Sequence, residues 1–152
     1  MQMNNNTTND YWRSSIGSDY ALNESVILML EYHYNGAGSG EPEEYNKLRN
    51  FKSYQKAGVF LIGKHYLIPA VSWIASPLMS VSASAFINVK DRSTFFNIKG
   101  ERSWSDNLYS DFGLYLSTGK NFYTDETQLK LNYGSEFGGY PTSLYASLRY
   151  YF

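Results

Sequence analysis

The last eleven residues of the chain, Thr142 to Phe152, alternate between two chemistries, and a run of that length restricts the fold severely. Leu144, Ala146, Leu148, Tyr150 and Phe152 are apolar or aromatic, while Ser143, Ser147 and Arg149 are polar, with Tyr145 and Tyr151 in the same phase. Successive side chains of a β-strand point to opposite faces, so a period of two gives one apolar and one polar face. Strands of soluble domains usually run about five or six residues, whereas a strand crossing a bilayer needs about 9–11.

The same rhythm recurs upstream. In Leu108–Thr118, Leu108, Phe112, Leu114 and Leu116 oppose Tyr109, Asp111, Gly113, Tyr115 and Ser117. In Met79–Lys90, Met79, Val81, Ala83, Ala85, Ile87 and Val89 oppose three serines, Phe86, Asn88 and Lys90. Thr94–Trp104 and Ser25–Asn35 repeat the pattern, and Tyr11–Ala21 shows it more weakly. Lys64–Ala75 is apolar in both phases, with Pro69 suiting an edge or a bulge because proline has no N–H for the ladder. Seven long strands are therefore predicted over residues 11–152, with an eighth candidate in Lys56–Ile62. A short helix is expected within Glu41–Asn50, where Pro42 suits a first turn. Met1–Asp10 is polar, lacks the apolar stretch of a signal peptide and is expected to be a disordered tail on a chain missing its leader.

Composition narrows the class further. No apolar run approaches the roughly 18 residues of a membrane-crossing helix. The absence of cysteine removes disulfides, thiolate zinc sites and thiol catalysis. Thirteen basic against 14 acidic residues leave no nucleic-acid footprint in the net charge. The 27 aromatics, 15 Tyr, 9 Phe and 3 Trp, gather near strand ends at Trp12, Tyr20, Tyr32, Tyr34, Trp73, Phe95, Phe96 and Trp104. Aromatic girdles at the two interfaces of a transmembrane barrel have that distribution. The long connections, Gly36–Gly63 and Lys120–Pro141, fall at one end of the strands, and the tight ones near Asn23, Pro77 and Asp106 at the other. Short turns on one side and long loops on the other are again barrel-like. Alternation by itself also suits a soluble β-sandwich, which stays open as an alternative.

The terminal strand from Leu144 to Phe152 resembles the C-terminal signature of bacterial outer-membrane β-barrels, which end on Phe with apolar residues at alternate preceding positions. Leu30–Gly36 and Ser135–Pro141 are similar to the C-terminal half of larger, uncharacterised outer-membrane proteins. The resemblance implies an antiparallel up-and-down transmembrane β-barrel, or its C-terminal part, in the outer membrane of a Gram-negative bacterium. It further implies that Leu144, Ala146, Leu148, Tyr150 and Phe152 are read by the barrel-assembly machinery, with lipid and lipopolysaccharide around the barrel. The expected role is structural or porin-like, with the remainder of a barrel or a second copy as possible partners.

Candidate chemistry is sparse. Arg13, Lys90, Lys99 and Arg149 against Asp19, Glu31, Glu101 and Asp111 give four charges of each sign, expected with His33 to form a neutralising network in the lumen. Glu31 and His33 share a face, and with Asp19 and a serine they would suit an acyl hydrolase, the alternative activity. Gly36–Gly40 lacks the Lys-Ser/Thr ending of a phosphate loop. The acidic-then-basic run Glu41, Glu43, Glu44, Lys47, Arg49, Lys52 and Lys56 is expected to be a solvated loop. No cofactor, metal or nucleic acid is expected.

Overall fold

A computed structural model of the chain describes residues 11–48, 51, 54–55, 60–125 and 130–152. The fold is all-β and antiparallel. Its main strands are β1 (Arg13–Asn23), β2 (Val26–Asn35), β3 (His65–Ser76), β4 (Met79–Asn88), β5 (Thr94–Ser105) and β6 (Leu108–Thr118). A small hairpin follows, β7 (Tyr123–Asp125) with β8 (Lys130–Asn132), and then β9 (Ser143–Tyr150). Seven strands form one sheet in the order β1-β2-β3-β4-β5-β6-β9, and no hydrogen-bonded pairing joins β9 to β1.

The predicted strands agree with those observed to within about two residues, because most are written by a sustained period of two and the third by an almost unbroken apolar run. The β7–β8 hairpin was not anticipated; strands of three residues are too short to show a period. The tail 1–10 and residues 56–59 of the eighth strand candidate lie outside the described residues, and residues 60–62 form no strand. The helical turn is present as Pro42–Glu44, a 3-10 turn with Pro42 at its start, continuing into α1 (Tyr45–Leu48).

Pro69 corrects an expectation. It lies neither at an edge nor in a bulge but inside β3, opposite Leu30 of β2. Toward β4 the Cα pairing skips from Leu67↔Ile87 to Ala70↔Ser84 with the register unchanged. A missing N–H thus accompanies a local gap in the ladder rather than displacing the strand. Each tight-turn hairpin instead carries a one-residue irregularity on its first strand, at Leu22, Ala75 and Trp104. Bulges there raise the local twist beside the turn.

The register sorts the side chains. Leu28, Val71, Ala83, Ile98, Leu114 and Leu144 lie in phase on one face. Ser82, Lys99, Glu101, Asp111, Ser147 and Arg149 lie on the other. The apolar face is uncovered even on the interior strands: Leu28 is 41% exposed, Trp73 49% and Phe112 41%. The buried apolar cluster sits elsewhere, in the long loop, where Tyr45 and Leu48 of α1 meet Ile62. Tyr54 and Tyr133 pack on its rim. Among the described residues, the sheet has no core over its apolar face.

Candidate functional site: a charged recess beneath a loop cap

Residues of β3, β4, β5, β6 and β9 line one recess of about 430 Å³ on the polar face, with Ser72, Ser82, Lys99, Glu101, Asp111 and Arg149 in its wall. Glu101 and Asp111 stand directly opposite each other across β5 and β6. Like charges in that position repel. Arg149, entering from β9, donates through Nη2 to Glu101 Oε2 at 2.6 Å and to Asp111 Oδ1 at 2.7 Å. Ser147 Oγ donates to Asp111 Oδ2 at 2.7 Å. One guanidinium thus bridges two facing carboxylates, relieves their repulsion and fixes the last strand to the sheet. Arg149→Gln is expected to lower the denaturant midpoint of the folded chain, and Glu101→Gln on top of it to restore part of the loss. The non-additivity of this pair measures the bridge.

The remaining charged residues predicted for this face are dispersed. Lys99 lines the same recess. Glu31 pairs across β1 with Gly17, and Asp19 with Met29, so the two carboxylates are diagonal neighbours at the opposite end of the strand order from Arg149. Arg13, at the start of β1, lies over the Tyr11 ring at 5.7 Å. His33 faces Ser15, whose Oγ is 2.8 Å from His33 Nδ1. Lys90 follows the end of β4 and bonds Glu41 of the long loop at 2.9 Å, outside the recess. Ile27, Met29, Ala70 and Ile74 share the polar face around β2 and β3, because the first half of β2 and most of β3 are apolar in both phases.

Most of the predicted girdle residues share the apolar face. Trp12 packs on Tyr34 at 4.7 Å between ring centres, and Tyr34 on His65 at 5.4 Å. Near the tight turns, Trp104 Nε1 donates to Ser110 Oγ at 2.8 Å, and Arg102 lies over its ring at 4.0 Å. Tyr20, Tyr32, Trp73 and Phe96 are in the same phase. Phe95 differs. Its odd position turns it to the polar face, where it packs against Tyr115, Phe137 and Tyr140. On β9, Leu144, Ala146, Leu148 and Tyr150 lie on the apolar face, and the Phe152 ring meets Tyr150 at 5.3 Å.

A buried carboxylate went unrecognised in the sequence. Glu136 lies in the second long loop with no exposed surface. Its Oε1 accepts from Ile62 N at 2.7 Å and from the Tyr66 hydroxyl at 2.8 Å. Its Oε2 accepts from Asn88 Nδ2 at 2.7 Å and from Gly63 N at 3.3 Å. Glu136 N in turn donates to Asp91 Oδ2 at 2.7 Å. Asn35 Nδ2 holds the Leu61 and Gly63 carbonyls, and Asn88 Nδ2 also reaches the Tyr45 hydroxyl. Both long loops are thereby fastened over one end of the polar face, with the Phe137 ring packed at a tilt against Tyr66 and Phe95. Burial pushes the Glu136 carboxyl above its usual range, against the lowering effect of its bonds from Tyr66, Ile62 and Asn88. Burial likewise raises the Tyr54 hydroxyl to about 12. In the sequence Glu136 is one acid in a glycine-rich stretch, and nothing local distinguishes it from a solvated one. Comparison with family models, with curated proteins and with solved structures finds no match to this chain.

Proposed function

We propose that the chain is an outer-membrane β-barrel protein, or the C-terminal part of one, with a structural or passive-pore role. The observation that carries this is the uncovered apolar face on seven strands, five of them ten to twelve residues long between the outer two. Soluble monomers rarely expose an apolar patch of more than a few hundred Å². In a bilayer such a face needs no cover, and the polar face, with Arg149 bridging Glu101 and Asp111, becomes the inner wall. The glutamate-fastened loops then form a cap over the barrel mouth on the outer side, since long loops are extracellular in such barrels and tight turns periplasmic. The terminal strand ending on Phe152 serves, on this reading, as the segment that the barrel-assembly machinery recognises, and lipopolysaccharide surrounds the loop side.

A second reading, an acyl hydrolase acting on lipid, rests on the hydrogen bond between Ser15 and His33. A serine is a competent nucleophile when its histidine is oriented by a third group and an oxyanion site is at hand. Glu31, on the same strand two residues from His33, stands opposite Gly17 rather than behind the imidazole.

One experiment separates these. The chain is expected to refold into a β-rich, cooperatively melting species in detergent or phospholipid vesicles, and not in plain buffer. A monodisperse folded species in buffer alone would overturn the membrane reading. Ester hydrolysis by the refolded chain, lost in Ser15→Ala, would replace the passive role with the enzymatic one.

A further inference from the structure

The two edges of the sheet are its least satisfied feature. All eleven residues of β1 and all eight of β9 are exposed, and each strand is paired on one side alone. Within a bilayer no water reaches the backbone, so unpaired N–H and C=O groups along an edge are disfavoured and a closed sheet is favoured over an open one. What closes it follows from direction. Every neighbouring pair in the seven-stranded sheet is antiparallel. An odd number of alternating strands leaves the first and last running the same way: β1 and β9 both run from the long-loop end to the tight-turn end.

Resting on the membrane reading above, we propose that an odd number of further transmembrane strands, one at minimum, bridges β9 to β1, contributed by a stretch of polypeptide that is not a second copy of residues 11–152. A second copy inserted in the same sense is related to the first by rotation about the membrane normal. That rotation preserves strand direction, so β9 of one copy would meet β1 of the next in parallel. Each copy also adds seven strands, and two copies produce two such seams. One added strand running from the tight-turn end to the loop end pairs antiparallel with both edges and brings the barrel to an even count, the usual state of single-chain outer-membrane barrels. The occupant is thereby specified chemically. It is amphipathic, with apolar side chains continuing the Ile16 and Leu148 face and small polar ones continuing the Ser15 and Ser147 face.

A parity series tests this on the full chain in detergent. Three proteins are refolded: the chain itself, the chain extended after Phe152 by a tight turn and a copy of Met79–Asn88, and the chain extended by two strands, copies of Met79–Asn88 and Thr94–Ser105. The probe strand, Met79–Asn88, runs in the required sense in the parent sheet. The single-strand extension is expected to raise the yield of compact, heat-modifiable protein on unheated gels severalfold over both others. In the unextended chain carrying Ser15→Cys and Ser147→Cys, no disulfide is expected within a chain or between copies. Formation of that disulfide, or yields indifferent to parity, would overturn the inference while leaving the membrane reading intact. Refolding of the unextended chain in plain buffer would overturn both.

Discussion

Replacing Glu136 with alanine is expected to release both long loops from the end of the sheet while leaving the strands paired. Four buried donors, from Ile62, Gly63, Tyr66 and Asn88, lose their acceptor together. Each buried donor left unsatisfied costs about 1–3 kcal/mol. The loops open and rehydrate before that total is reached, so the loss appears as local opening rather than global unfolding. Protease cleavage within Gly36–Gly63 and Lys120–Pro141 should therefore accelerate by orders of magnitude, with the β-sheet signal and its melting midpoint little changed. The pH dependence has a definite sign. Because burial raises the Glu136 carboxyl in the folded cap, its contribution is complete below the ordinary glutamate range near 4.5 and is lost as pH rises through the shifted value. The groups facing it are Tyr66, Tyr45 and Asp91, and of these Asp91 also raises the carboxyl. Cap opening should accordingly increase as pH rises above that range, and Glu136→Gln should flatten the profile. A cap that loosens with acid in the unmodified chain would show that the hydrogen bonds outweigh burial.

Leu114→Arg should destabilise the chain in vesicles by about 2–4 kcal/mol if Leu114 faces lipid near the bilayer midplane. Leu114 lies in phase with Ile98 and Leu144 at the middle of β6. Ser84→Arg, on the opposite face of β4, serves as the control and should change stability far less. The comparison is decisive because a half-exposed leucine on a water-facing sheet would tolerate arginine within about 0.5 kcal/mol. Equal, small effects of the two substitutions would place both faces in water.

Most strands were legible because each is long enough for its period to exceed any local irregularity; the third was legible only as an apolar run, without its faces. Arg149, Glu101 and Asp111 were placed on one face by parity alone, and register then brought them into contact. Parity also assigns Phe95 to the polar face, but clustering of aromatics near strand ends had grouped it with Trp104 and Phe96. Pro69 misled in a different way. Proline's preference for edges reflects a missing donor, and here the loss is confined to a gap between Leu67 and Ala70 that the surrounding pairs tolerate. The cap was not legible at all. Glu136 is defined by Tyr66 and Asn88, 70 and 48 residues away, and a loop without periodicity gives no sign of which side chain will be buried. Closure could be read neither from the alternation nor from the loop lengths, since both describe strands and neither describes edges.

The central claim, that this sheet stands in a bilayer with one face to lipid, is tested most directly along β4, which is paired on both sides. Single fluorescent labels at Ser80, Val81, Ser82, Ala83, Ser84 and Ala85, in protein refolded into vesicles, are read with a quencher attached to the acyl chains and with an aqueous one. Quenching from the acyl chains should be strong at Val81, Ala83 and Ala85 and weak at the three serines, with a period of two residues. The aqueous quencher should show the opposite phase or reach none of the six. Strong aqueous quenching at Val81, Ala83 and Ala85, with no contribution from the acyl-chain quencher at any position, would contradict the account.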